Sequence, residues 1–405
     1  CIYRVMVKEG TKISDLLFFQ EGPGVRNTQY TQSGVKLLNV ANLVNGKVDL
    51  STSDRYISED EAYGRYKHFL CDDGDFIIAS SGIKVEYFDR KMGFVDSSTL
   101  PLCMNTSTIR FKVIDSKRLN IKYFMYYLKS IHFKQQLSKF ITGSAQLNFG
   151  PSHLKKMNMP LVSRKEQNVI VEKLSKVELL LDKYNGDIKL LDELIKARFV
   201  EMFGDPVKND MLWNTDVLKD ICTKIGSGST PRGGKESYID EGISLIRSMN
   251  VHNAYFEYKD LAHIKLDQAE KLNNVVVEHD DLLFNITGAS VARCCVVPSD
   301  VLPARVNQHV CILRCREKIN PIFLQGLLVN ENYQGKLLQI AKSGATREAI
   351  NKQQLESLEI MIPPLELQNQ FASFVEEIDK SRSRIQKSLE ASQELFDSLM
   401  QEYFG

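Results

Sequence analysis

The sequence predicts an α+β protein: two mixed α/β heads joined by two long helices that form an antiparallel coiled coil, with a pseudo-two-fold internal repeat. Three observations carry this. The chain contains itself twice, the most regular part of each copy has a helical heptad period, and the part before it alternates short apolar runs with turn-forming stretches. Aligned at a shift of 201, Gly143 meets Gly344, Leu154 meets Leu355, Gln167-Asn168 meets Gln368-Asn369, and Phe203-Gly204 meets Phe404-Gly405. Glu193-Leu194 and Glu394-Leu395 match in the same register, as do Glu201 and Glu402. Upstream the shift drifts to 208 between Gly34–Leu43 and Gly242–Val251, and to 206 between Asp73–Gly82 and His279–Gly288. The first part of each copy therefore tolerates loop changes and the last part does not, as expected of variable heads on a geometrically strict connector.

The strict part reads as helix. Ile170, Leu174, Val177, Leu181, Tyr184, Ile188, Leu191 and Ile195 alternate by four and three. The second copy repeats the alternation with Phe371, Val375, Ile378, Arg382, Ile385, Leu389, Ser392, Phe396, Leu399 and Tyr403. Apolar residues every 3.5 positions over several heptads indicate coiled-coil packing. Arg382 and Ser392 interrupt the second seam, and Gly186 weakens the first. A helix over 167–203 would span roughly 55 Å at about 1.5 Å per residue, the length of a ruler rather than a linker. Antiparallel pairing is expected because a globular stretch lies between the copies. Each helix is introduced by an extended segment, 157–161 and 358–365, whose prolines end a strand and set up a helix.

The heads read as mixed. In the first, 35–40, 76–79 and 109–114 look like strands, and 121–140 like one amphipathic helix with Tyr123, Phe124, Tyr127, Leu128 and Ile131 on its apolar side. In the second, 244–247, 275–277, 281–284 and 310–313 look like strands, with a helix near 321–341. The resulting boundaries are 1–160, 161–204, 205–363 and 364–405.

Bulk composition fits this plan. With 405 residues, 43% hydrophobic and 25% charged, the chain has the make-up of an ordinary globular protein of two or three domains. No run of about 18 apolar residues occurs, so no membrane helix is expected, and no basic segment followed by an apolar one opens the chain as a secretory signal would. The numbering starts at Cys1 without an initiator Met, so the natural start is expected upstream. Eight cysteines, none in a Cys-x-x-Cys pair, read as reduced, mostly buried thiols of a cytoplasmic protein, with no metal site.

Two variable heads alternating with two repeated helices, each introduced by a Leu-x-x-Leu-x-Ile-x-Ile-Pro-Pro-Leu-Glu-x-Gln type of segment, resemble the specificity subunit of type I restriction–modification systems. Leu355–Gln368 is a close match to that segment, and Gly242–Val251 and Asp281–Gly288 are also similar to the family. The first copy departs from it, with Val162-Ser163 where the second has Pro363-Pro364. The resemblance covers essentially the whole chain and lies in the order of parts more than in one motif. It implies that 1–160 and 205–363 are target recognition domains, each reading half of a bipartite, interrupted sequence in double-stranded DNA. It further implies that 161–204 and 364–405 are spacers fixing the gap and docking two adenine methyltransferase subunits, joined in some complexes by restriction subunits that translocate and cut. The chain itself would carry no cofactor. The partners would use S-adenosylmethionine, and ATP and magnesium where a nuclease subunit is present.

The residues agree that the chain performs no chemistry. Ile362-Pro-Pro-Leu365 lacks the polar first and aromatic last residues of the tetrad that cradles an adenine amino group. Gly233-Gly234-Lys235 fails as a phosphate loop, because Ser229 stands where a glycine is needed and Glu236 replaces the Ser/Thr that would hold magnesium. Asp187-Ile-Lys189 sits within the heptad and lacks a convincing acidic partner.

For DNA contacts, the polar loops supply the candidates: Arg26, Asn27, Gln29, Tyr30, Ser80, Ser81, Lys84, Gln146 and Asn148 in the first head. In the second they are Ser229, Thr230, Arg232, Lys235, Arg247, Asn250, Asn285, Thr287, Arg293, Asn307, Gln308 and Arg347. Arginine suits guanine, and asparagine and glutamine suit adenine, by bidentate geometry. For Arg247 and Arg293 a salt bridge within the fold is an equal alternative, and Asn42 and Asn250, in corresponding turns, are alternatively turn caps. Residues 1–160 carry 22 basic against 15 acidic side chains, whereas 205–363 carry 18 against 20 and 364–405 carry 4 against 8. Only the first head has an electrostatic footprint for phosphates, so partner subunits must supply many of those contacts and the isolated chain should bind DNA weakly. A rival from a different class is a structural adaptor whose heads bind protein or glycan on a coiled-coil spacer. It predicts no effect on DNA methylation.

Overall fold

The computed structural model describes residues 10–139, 149–231, 233–342 and 348–405, with Lys235 described in its backbone alone. The chain forms two compact units. The first comprises Cys1–Lys183 with Ser388–Gly405, the second Tyr184–Lys387.

Two helices of 40 residues, Arg164–Phe203 and Leu365–Phe404, each contribute one end to either unit. At about 1.5 Å per residue each measures about 60 Å. The helix beginning at 164 takes up the three residues before the expected start, and a cap ahead of Arg164 fixes that start. Ser163 and Glu166 form a reciprocal capping box, Ser163 N donating to Glu166 Oε2 at 2.9 Å and Glu166 N to Ser163 Oγ at 3.3 Å. In the second copy Pro364 stands at the same place, just ahead of the first helical residue, where its fixed φ suits a helix start. Two different devices thus begin the same helix.

Within the first unit, Ile170, Val171 and Leu174 from the start of one helix share a core with Phe404 from the end of the other, and Phe396, Leu399 and Tyr403 pack against it. Within the second unit, Phe371 and Val375 share a core with Phe199 and Phe203, with Ile195 alongside. In each unit, therefore, the start of one helix lies beside the end of the other, which is antiparallel pairing. Of the expected seam, Ile170, Leu174, Val177, Phe371 and Val375 are buried, and Leu181, Ile188, Leu191, Ile195, Ile378, Ile385, Leu389, Phe396 and Leu399 are half-buried. The polar break at Arg382 is paired with Asp192 and with Asp379, the latter at 2.9 Å.

The repeated Gln-Asn pair has a specific role in joining helix to head. Gln167 and Gln368 are fully buried. Gln167 Oε1 accepts from Asn120 N at 2.8 Å while its Nε2 donates to Arg118 O (2.8 Å) and Val162 O (2.9 Å). Gln368 does the same with Asn320 N (2.8 Å), Lys318 O (3.3 Å) and Pro363 O (2.8 Å). The adjacent Asn168 and Asn369 accept from the side chains of Asn120 and Asn320 at 3.0 and 2.9 Å. Asn120 and Asn320 in turn cap the helices Ile121–Lys129 and Pro321–Val329.

Each head is built on a four-stranded antiparallel sheet. In the first the order is Leu17–Glu21, Thr108–Val113, Phe76–Ala79, Met92–Phe94; in the second it is Cys222–Ser227, Val310–Cys315, Leu282–Asn285, Cys294–Val296. A second, mixed sheet pairs Val35–Leu38 parallel to Leu102–Met104, and Ile243–Ile246 parallel to Ala304–Val306. The expected helix over 121–140 is two helices, Ile121–Lys129 and Ile131–Ser138, and that over 321–341 is likewise Pro321–Val329 and Glu331–Lys342. Ser130 and Asn330 break them by capping the second helix: Ser130 Oγ accepts from Phe133 N at 3.2 Å and Asn330 Oδ1 from Asn332 N at 3.0 Å. The break turns Ile131 out to 64% exposure, so it is not on the apolar side as expected, and Tyr126 is buried instead.

The described cysteines are free thiols, and burial pushes Cys71, Cys103, Cys295 and Cys311 up to about 12. Among the described residues no group of three or more His, Cys, Asp or Glu is placed to hold a metal ion, and no helix is long and apolar enough to cross a membrane.

Candidate nucleic-acid interface

At one end of the antiparallel sheet, four stretches of backbone converge in both heads. Three of the four hydrogen bonds link equivalent residues, and the glycine bond goes to Thr108 in the first head but to Asn307, the counterpart of Asn105, in the second. In the first, Gly22 N donates to Thr108 O (2.9 Å), Ser80 N to Ser107 O (2.8 Å), Phe149 N to Ser80 O (3.0 Å) and Asn105 N to Leu38 O (3.0 Å). In the second, Gly228 N donates to Asn307 O (3.1 Å), Ile286 N to His309 O (3.0 Å), Ile350 N to Ile286 O (2.9 Å) and Asn307 N to Ile246 O (3.0 Å). Two glycines permit the closest of these approaches. A Cβ on Gly22 would stand 2.0 Å from Asn105 O, and one on Gly228 would stand 1.7 Å from Val306 O.

The side chains on this common frame differ. In the first head Ser81 Oγ donates to Ser107 Oγ at 2.6 Å, and Ser107 is held at a φ of 66°, in the left-handed region that costs a serine backbone energy. Asn105, buried behind them, donates to Asn39 Oδ1 (2.9 Å) and accepts from Thr106 N (2.8 Å). In the second head the equivalent pair is Thr287 and His309, with Oγ1 and Nδ1 2.6 Å apart. His309 Nε2 lies 2.9 Å from Gln308 Nε2, and Thr230 Oγ1 donates to Gln308 Oε1. A further polar and aromatic group sits on the hairpin after Asn250, where His252 stacks on Tyr255 at 4.6 Å between ring centroids and contacts Arg293 Nη1 at 3.3 Å through Nδ1.

The sequence candidates divide by placement. Arg26, Asn27, Lys84, Ser229, Thr230 and Gln308 are exposed and presented outward. Ser81, Thr287 and Arg293 are half-buried in the networks just described. Gln29 is spent inside the head, donating to Glu61 Oε1 (2.6 Å) and Tyr66 OH (3.0 Å), and the ring of Tyr30 faces Arg55 at 5.4 Å. Four candidates cannot present their side chains to a base as placed. Ser80 is buried beneath the sheet end. Asn307 is buried with Oδ1 accepting from His309 N at 3.0 Å. Asn285 is buried and donates to Ser248 O (2.9 Å) and Val251 O (3.3 Å). Asn250 is buried in its turn, accepting from Arg247 N (3.1 Å) and donating to Glu257 O (2.9 Å), just as Asn42 does with Asn39 N (2.9 Å) and Asp49 O (3.1 Å). A short amide followed by a tight turn satisfies backbone groups before it can reach outward. Arg247 packs over Tyr238, 5.3 Å from the ring centroid, and donates to Asp260 O; its partner within the fold is a carbonyl and a ring, not a carboxylate. Gln146, Asn148, Arg232 and Arg347 lie outside the described residues, as does the side chain of Lys235.

Sequence reasoning missed Thr106, Ser107 and His309. The signal was present: at a shift of 202, Asn105-Thr106-Ser107 aligns with Asn307-Gln308-His309, just before a strand found in both copies.

Two pseudo-equivalent heads, each built on an antiparallel sheet with unlike polar side chains at the same place, joined through two equal helices, define a class of repeated recognition proteins. Comparison with known proteins makes the class specific. Residues 11–190 and 211–393 match the profile described as Type I restriction modification DNA specificity domain, and the chain belongs to that family. It is 25% identical over 178 residues to the type I restriction enzyme MjaVIII specificity subunit of Methanocaldococcus jannaschii, covering 43% of this chain and 40% of that one. It is 22% identical over 300 residues to the StySPI specificity subunit of Salmonella potsdam, covering 70% and 64% respectively. The matched stretches thus span 40% and 64% of those relatives' own lengths. In fold it is similar to the crystal structure of the type I restriction–modification S subunit from M. genitalium, with a TM-score of 0.62 at 15% identity over 100% of this chain and 98% of that one.

Proposed function

We propose that this chain is the DNA-specificity subunit of a type I restriction–modification complex, in which each head reads one half of a bipartite, interrupted target. The observation that carries the reading is the four-segment convergence repeated in both heads with different side chains on it. A shared frame bearing Ser81, Thr106 and Ser107 in one copy and Thr287, Gln308 and His309 in the other suits two unlike half-sites. The adaptor reading explains the helices but gives no reason for this exchange.

In this reading the chain positions and its partners react. The long helices carry apolar side chains with no core to fill: Leu194 and Leu395, at equivalent places in the repeat, are 46% and 50% exposed, and Leu179 and Leu190 are 69% and 61% exposed. The equivalent pair Leu194 and Leu395 suits two copies of one partner, an adenine methyltransferase subunit, although Leu179 and Leu190 are replaced by Lys380 and Ala391 in the other copy. S-adenosylmethionine would be used there, and ATP and magnesium by a restriction subunit in complexes that contain one. The near-zero net charge of +1 fits a division of labour in which partners neutralise much of the phosphate backbone.

The test is a genome-wide map of methylated adenines in cells co-expressing the chain with its methyltransferase subunit, against cells lacking only this chain. The expected result is methylation at an interrupted motif with two unlike halves. Identical maps from a demonstrably assembled and active methyltransferase would overturn the proposal.

A further inference from the structure

We infer that Gln308 reads an adenine in the major groove of the DNA target, and that Thr230 and His309 hold its amide in position to do so. This deepens the specificity reading above and rests on it.

Gln308 is exposed at the loop that leads into the strand Val310–Cys315. Its amide is clamped on the inner side by two neighbours. Thr230 Oγ1, from the loop after the strand Cys222–Ser227, donates to Oε1, and His309 Nε2 lies 2.9 Å from Nε2. His309 is itself fixed through Nδ1 to Thr287 Oγ1 at 2.6 Å. Two hydrogen placements satisfy this chain. In one, Gln308 donates to His309 Nε2 and His309 Nδ1–H donates to Thr287. In the other the amide is turned over, His309 carries its proton on Nε2 and donates to the amide oxygen, and Thr287 donates to Nδ1. Both spend one N–H and one oxygen lone pair of the amide inward and leave one of each outward.

A planar amide with an outward donor beside an outward acceptor matches adenine, which offers N7 as acceptor and N6 as donor. Guanine offers two acceptors on the same edge, so no other purine accepts this pair of bonds. The clamp also removes rotamer freedom that a free glutamine would lose on binding. In the first head the equivalent residue, Thr106, is exposed beside the Ser81–Ser107 pair. A single hydroxyl cannot make the bidentate contact, so the same place in the first half-site is read by different chemistry.

The test is the methylated-adenine map repeated with Gln308→Ala, Gln308→Arg and Gln308→Glu in the assembled complex. The unaltered chain must first yield its motif, and failure at that step sinks the specificity reading itself. Given a motif, Gln308→Ala should relax one A·T position in one half only, erasing discrimination there of roughly 10- to 100-fold. Gln308→Arg should favour guanine at that same position. Gln308→Glu keeps the shape and lacks the N–H donor, so it should lose the adenine preference as alanine does; it is decisive where the alanine variant fails to co-purify with the methyltransferase. An unchanged motif in assembled variants overturns the inference. So does a uniform loss of methylation across all sites, which would make Gln308 a phosphate contact or a packing residue.

Discussion

Replacing Gln368 with leucine tests whether the repeated glutamine joins helix to head. The side chain is fully buried and makes three hydrogen bonds. Its loss orphans the Asn320 N–H and the Pro363 carbonyl, both bonded at 2.8 Å, and frees the Lys318 carbonyl, whose bond at 3.3 Å is too long to weigh much. A buried orphaned group costs about 1–3 kcal/mol, so two give about 2–6 kcal/mol. The leucine's extra apolar burial offsets about 1–2 kcal/mol of that. A net loss of about 0–5 kcal/mol remains, centred near about 2–3 kcal/mol, which at a slope of about 2–3 kcal/mol/M lowers a urea midpoint by about 1 M. The protein carries its own reporter. Trp213 is the sole tryptophan, it packs against the core of the second unit, and its Nε1 donates to Phe203 O at 3.0 Å. Its emission during urea unfolding reads the unit that Gln368 belongs to. A midpoint within about 0.2 M of the parent would refute the reasoning, because it would mean that the three bonds contribute nothing net. Gln167→Leu makes the same prediction for the first unit, followed by circular dichroism, since its three bonds are all 2.8–2.9 Å long.

Three further outcomes follow from the same geometry. Gly228→Ala drives a methyl into Val306 O and should displace the loop bearing Gln308 and His309; in the methylation map it should degrade one half of the motif, while Gly22→Ala degrades the other. Phe404→Ala removes a ring packed 5.1 Å from Tyr123 and 6.1 Å from Tyr127 and should cost the first unit about 3–5 kcal/mol, measured by chemical denaturation. Cys71, Cys103, Cys295 and Cys311, held near 12 by burial, carry almost no thiolate at pH 8, so a thiol reagent should leave them unmodified in the native protein and label them in denaturant, as mass mapping would show.

Some of this protein is determined by its sequence alone. The long helices are legible because a seam such as Ile170-Leu174-Val177 is a local, periodic property of one segment, and because its copy at Phe371-Val375-Ile378 repeats it. The antiparallel arrangement follows from the order of parts, and the turn caps at Asn42 and Asn250 follow from short-range amide chemistry. Local rules also mislead where a single polar residue competes with them. Ser130 and Asn330 each end one helix and cap the next, which a moment averaged over 121–140 or 321–341 does not register. The candidate interface was legible only in part. Exposed loop residues such as Arg26, Thr230 and Gln308 look alike in sequence to Asn285 and Asn307, whose side chains the fold consumes. What separates them is the convergence of segments as distant as Gly22, Ser80, Ser107 and Phe149, or Gly228, Ile286, His309 and Ile350. Hydrogen bonds between those segments depend on strand register and close backbone approach, which are properties of the assembled sheet. Tertiary structure alone therefore decides which polar side chains are satisfied within the fold and which remain available to a partner.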